Sequence, residues 1–220
     1  MKKFFATLGL SLLLVVPSIS TAVAVAEGTS TGSDSSSDDS TTLTEAQKTE
    51  MNARLEKQKA EFKVKLAAAE KIKIELKCTA AQGLVNSVRG RIKGIETSRS
   101  EVYKNVVNHL TDLSAKLKAK NVDTTSLDAD IAVLKTKIAT FNTDLATYKQ
   151  AVTDLVAVGC KQDPDGFKAA LLAARTDLDK VKKDAEDVRS YITGTIKPLL
   201  VQIRNQVEKD DSPTSEGSTN

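Results

Sequence analysis

Residues 126–158 read SLDADIAVLKTKIATFNTDLATYKQAVTDLVAV, and their apolar positions decide the fold class. Leu127, Ile131, Leu134, Ile138, Phe141, Leu145, Tyr148, Val152 and Leu155 recur at alternating steps of four and three. That is an unbroken 3.5-residue period, the mark of a helix with a coiled-coil seam; a strand needs period two. A helix is predicted over 126–158. Gly159 follows and offers a left-handed position that closes it.

Working toward the C-terminus, Asp163 suits an N-cap and Pro164 the first helical position, where no N–H is needed. The apolar series Phe167, Leu171, Ala174, Leu178, Val181, Ala185, Val188, Ile192, Ile196, Leu199, Ile203 and Val207 then predicts a helix over 164–208. Its rhythm slips between Ile192 and Ile196, beside Gly194 and shortly before Pro198. Proline removes a helical hydrogen bond and crowds the preceding turn, so a kink is expected there.

Working toward the N-terminus, residues 121–126 (NVDTTS) favour turns and caps, because their short polar side chains bond nearby backbone. Before them an apolar stripe runs through Ala81, Val85, Val88, Ile92, Ile95, Val102, Val106, Leu110, Leu113 and Leu117, with Arg99 interrupting it. Thr44-Glu45-Ala46-Gln47 has the form of a capping box, so the first helix is expected to run over 44–120. Upstream of Cys78 the stripe weakens to Met51, Leu55, Phe62, Val64, Leu66, Ile72, Ile74 and Leu76, interspersed with lysines. Ile72, Ile74 and Leu76 alternate as a strand would, but Ala67, Ala68 and Ala69 and the Glu/Lys content favour helix. Long lysine stems can cover part of this stripe while their charges stay wet.

A helix with one apolar stripe must bury it against another, and short turns make successive helices antiparallel neighbours. The expected fold is all-α: an antiparallel three-helix coiled-coil bundle over 78–208, with a long first helix extending beyond it through 43–77. A hairpin turning at about residue 122 sets Cys160 opposite about residue 85, and Cys78 lies about 10 Å further along the axis. The loop after the second helix can cover that gap, so an intramolecular Cys78–Cys160 disulfide is the expected pairing in an oxidising compartment. Two free buried thiols and intermolecular bridges are the alternatives.

The ends of the chain address compartment. Met1-Lys2-Lys3, an apolar run from Phe4 to Val16, and small-x-small sites at 22–26 read as a signal peptide over 1–26. An uncleaved membrane anchor is the alternative reading. Residues 27–42 (EGTSTGSDSSSDDSTT) hold almost no apolar residue and read as a disordered linker; residues 209–220 read as a disordered tail. The expected location is exported: secreted, periplasmic or cell-surface.

Composition narrows the chemistry. Lys+Arg is 32 against Asp+Glu 29, and two of the lysines fall in the leader. A near-neutral mature chain lacks the basic surface that nucleic acid binding needs. One His and no Trp argue against a histidine-based enzyme or metal centre. His109 sits next to the seam and reads as a half-buried packing residue rather than a base, with no partner nucleophile. Asp163-Pro164-Asp165-Gly166 superficially resembles an ion loop, but a helix start accounts for it and the remaining EF-hand positions are missing. Asp123, Asp128 and Asp130 read as cap and first-turn residues. Gly83, Gly90 and Gly94 do not form a phosphate-binding motif and read as points of close helix approach or local flexibility. Arg89, Arg91, Lys93 and Arg99 read as a solvated face paired with acidic residues of the third helix, with a lipid or wall-polymer patch as the alternative. No catalytic, cofactor-binding or metal-ligating residue is expected.

The order of features — leader, polar linker, Cys-bearing long helix, NVDTTSL at 121–127, CKQDPDGFK at 160–168 — resembles a group of exported helical proteins from small-genome bacteria that have no known activity. The resemblance covers residues 70–205 and implies an exported coiled-coil domain with Cys78 and Cys160 paired. A looser likeness is to periplasmic holdase chaperones with coiled-coil tentacles, which carry a β-rich trimerising body that this sequence lacks. The expected function is a non-enzymatic structural or protein-interaction module of the cell envelope, a rigid spacer or binding surface. A holdase-like chaperone is the alternative, and envelope-polymer or lipid-surface binding a third. A protein partner is expected, with a monomer or a homo-oligomer formed through residues 43–77.

Overall fold

The computed structural model describes residues 44–210; the expected leader and linker, and the tail beyond 210, lie outside the described residues. Every element among the described residues is helical: α1 (Glu45–Glu61), α2 (Ala68–Leu76), α3 (Cys78–Lys118), α4 (Thr125–Ala157), α5 (Pro164–Tyr191), a π-helical turn (Ile192–Ile196) and α6 (Lys197–Asp210). The all-α expectation holds.

α4 follows its sequence closely. Of the nine seam positions, eight are buried and Ile138 is half-buried. Both long neighbours, α3 and α5, pack against it. Glu96 pairs with Lys149, the Tyr103 ring meets Phe141 edge-on at 5.3 Å, and Ser114 donates to Asp128 at 2.6 Å. All three pairs fold about a midpoint near residue 122, so α3 and α4 run antiparallel. Tyr191 donates to Asp130 at 2.7 Å, which sets the start of α4 against the end of α5.

The end of α4 differs from expectation. Gly159 does not adopt the left-handed region; no glycine among the described residues does. Instead Val158 turns extended (ψ 118°) and buries its side chain, which carries the chain off the helix. Among the described residues the left-handed ones are Asn121 (φ 59°) and Lys63 (φ 49°). Asn121 ends α3: the following Val122 N–H reaches back to the Leu117 carbonyl at 3.1 Å, satisfying an otherwise orphaned end.

The expected single helix over 44–120 is three helices. The capping box forms as read, with Thr44 and Gln47 bonding reciprocally. α1 then stops at Phe62, the chain turns through left-handed Lys63, and 64–67 are not helical. α1 therefore does not extend beyond the other helices; it folds back against α5 and buries Leu55. The cause is tertiary. The freed Leu66 N–H donates to Asp165 at 2.8 Å, and Lys59 pairs with Asp163 at 2.9 Å, so the α5 start captures the break. A second interruption at Lys77 (φ −97°, ψ 4°) separates α2 from α3 beside the disulfide.

The slip at Ile192–Ile196 resolves as a π turn, in which the Lys197 N–H reaches back to Ile192. A π turn absorbs one extra residue without losing the helix. It keeps Val188, Ile196 and Ile203 all buried across the irregular step. The helix then continues to Asp210, two residues past the expected end.

Candidate functional site

Two features sit at the end of the molecule opposite the 121–124 turn. The first is a polar corner organised by the loop between α4 and α5. Asp163 caps α5, accepting the Gly166 N–H at 2.9 Å behind Pro164, as its sequence requires. Its carboxylate also holds Lys59, and Asp165 holds both the Leu66 N–H and the Lys71 ammonium at 2.6 Å. Lys71, then the Leu66 N–H, keep Asp165 below the ordinary carboxyl range. Asp154 on α4 is 3% exposed and receives Arg54 on two bonds, 2.8 and 2.7 Å, plus the Gln150 amide at 2.9 Å. The Asp154 hydrogen bond in turn raises the Arg54 value. The Asp-Pro-Asp-Gly stretch is thus a helix start, as read, and also the anchor for α1 and α2, which sequence reasoning missed.

Cys78 and Cys160 form a disulfide at this corner, with Cα atoms 5.7 Å apart. Both are buried. The bond ties the first residue of α3 to the loop after α4, where the hairpin arithmetic places them.

The second feature is an apolar groove of about 200 Å³ above α4. Its walls are Leu84, Val85 and Val88 from α3 and Leu171, Ala174 and Leu178 from α5; its floor is Tyr148, Val152 and Leu155 from α4. Arg175 stands at its edge. The groove exists because α3 and α5 each pack extensively on α4 but not on one another. The α3 stripe is correspondingly rotated from expectation. Ile92, Tyr103, Leu110 and Ser114 are buried, while Ile95 and Val102 are exposed. Tyr103 takes the core position in place of Val102 because its ring fits against Phe141. Ser114 tolerates burial because its hydroxyl bonds Asp128.

Other residues singled out in the sequence do not converge here. His109 is exposed on α3, not half-buried as expected, because the rotated stripe turns it outward. Asp123 accepts the Thr125 N–H and hydroxyl, and Asp128 bonds Ser114, Thr124 and Lys118, both at the start of α4. Gly83, Gly90 and Gly94 face open space, so close helix approach does not account for them. Arg89, Arg91, Lys93 and Arg99 make no ion pair among the described residues, so the expected pairing with acidic residues of the helix over 164–208 does not form; α3 packs extensively on α4 and not on α5. Among the described residues there is no group of three or more His, Cys, Asp or Glu side chains able to hold a metal ion. Comparison with known proteins finds no matching family model, curated protein or solved structure.

Proposed function

We propose that this chain is a non-enzymatic, exported interaction module of the cell envelope. In this reading α3, α4 and the α5–α6 run act as an open antiparallel three-helix coiled coil, and the groove between α3 and α5 is its binding surface. The observations that carry it are the apolar groove itself and the exposed Ile95 and Val102, which follow its wall residue Val88 along α3 at seven-residue spacing, where a closed bundle would have covered them. Grooves of this kind accept the apolar face of a helix. The buried disulfide and the basic-then-apolar leader support export. No helix among the described residues is long and apolar enough to cross a membrane, which is compatible with that location.

A photoreactive residue in place of Leu84, compared with one in place of Lys182, tests the reading in intact cells. Discrete adducts at position 84 and none at 182 are expected. No adduct at 84 overturns it. A holdase-like chaperone is the second reading, favoured by exposed Ile72 and Leu76 on α2. It requires the purified chain to suppress aggregation of an unfolded protein at stoichiometric ratio, and absence of suppression removes it.

A further inference from the structure

Among the described residues the three most exposed large apolar side chains are Leu76 at 80%, Leu84 at 71% and Ile72 at 54%. They lie within thirteen positions of one another, at the junction of α2 and α3. Ile72 and Leu76 are one turn apart on α2, so they present a single apolar ridge. Glu75 stands beside that ridge, exposed and without an ion pair among the described residues. Across the molecule's surface, Arg175 stands at the groove's edge, also exposed and also without an ion pair among the described residues. Among the described residues one chain therefore carries an apolar ridge beside an acid without an ion pair and an apolar groove beside a base without one.

We propose that the groove is filled by α2 of a second copy of this chain, with Ile72 and Leu76 seated between α3 and α5 and Glu75 paired with Arg175 across the interface. This rests on the reading of the groove as a binding surface and names its occupant. The ridge cannot serve its own groove. α2 leads into α3 with only Lys77 between, and the disulfide pins that junction. The groove wall on α3 begins eight residues past Leu76, too near for α2 to turn back over it. In a second copy that constraint vanishes. A two-fold arrangement lets each α2 enter the other's groove, so both ridges and both grooves are covered at once and the assembly closes at two copies.

The test uses the full mature chain with its disulfide intact. Sedimentation velocity from low micromolar to several hundred micromolar is expected to show conversion from monomer to dimer. Leu76 is already in solvent, so Leu76→Glu leaves the fold intact by circular dichroism and weakens the dimer by about tenfold or more. Glu75→Arg and Arg175→Glu each weaken it, and the double exchange restores it. A monomer at every concentration overturns the proposal; so does a dimer indifferent to Leu76→Glu, or a charge exchange that fails to restore. A monomer that still gives adducts at position 84 in cells removes the second copy while leaving the interaction module standing. Loss of both removes the groove reading itself.

Discussion

Removing the Arg54 guanidinium should loosen α1 while leaving the rest of the fold in place. Asp154 is 3% exposed and its carboxylate depends on three donors, two from Arg54 and one from Gln150. Breaking a buried pair from one side typically costs about 3–5 kcal/mol, because a desolvated charge is left behind. Arg54 is itself 37% exposed, and Gln150 remains, so the figure for Arg54→Ala falls to about 2 kcal/mol. α1 otherwise holds on through Leu55, half-buried Met51 and the Lys59–Asp163 pair. The loss should therefore appear as local opening, read by hydrogen exchange of the α1 amides. Their protection should fall about thirtyfold, with α4 amides unchanged. Removing both charges, Arg54→Met with Asp154→Leu, should lose less than Arg54→Ala alone, because no charge stays buried. Unchanged α1 protection in Arg54→Ala, or a double variant worse than the single, would refute the argument.

Other consequences are separate. Replacing both cysteines by serine opens a loop of 82 positions and should lower stability by up to about 4 kcal/mol in the chain-entropy model, read from urea midpoints; a loss under about 1 kcal/mol would show that the α3–α4 packing alone constrains that end. Phe141→Ala empties a side chain that is 1% exposed and strips Tyr103 of its ring partner, so a loss of about 3–5 kcal/mol is expected by the same measurement. Asp184 on α5 lies half-buried, with one oxygen lacking a partner, and burial, then Asp144 on α4, raise it above the ordinary carboxyl range against the opposing effect of Lys183. Its stabilising contribution is whole below the unfolded value and is lost as pH rises through the raised folded one. Asp184→Asn should therefore melt higher than the parent at about pH 7, with the gap closing at about pH 3; a gap that widens toward acid would contradict the assignment.

How far the sequence reaches into this fold depends on how many partners each helix has. α4 packs against two long helices, so its apolar period and its buried set coincide, and both were legible. α5 was legible for the same reason, including the slip that the π turn absorbs at Ile192–Ile196. α3 has one extensive long partner, α4, yet carries enough apolar residues for two. Its period was readable but its phase was not: Val88, Ile95 and Val102 at seven-residue spacing compete with Ile92 and Tyr103, and only the Tyr103–Phe141 contact decides between them. The break at 62–67 left still less trace. Neither glycine nor proline stands there, and the contacts that fix it lie about a hundred positions away at Asp163 and Asp165. A helix with an unused stripe and a helix without a local stop are therefore the two places where propensity alone misleads. They meet at the α2–α3 junction, where the break frees α2 to present Ile72 and Leu76 and the unused stripe leaves the groove between α3 and α5 open. The exposed apolar surface follows from the same imbalance that defeated the sequence reading: more apolar periodicity on α2 and α3 than the described helices cover.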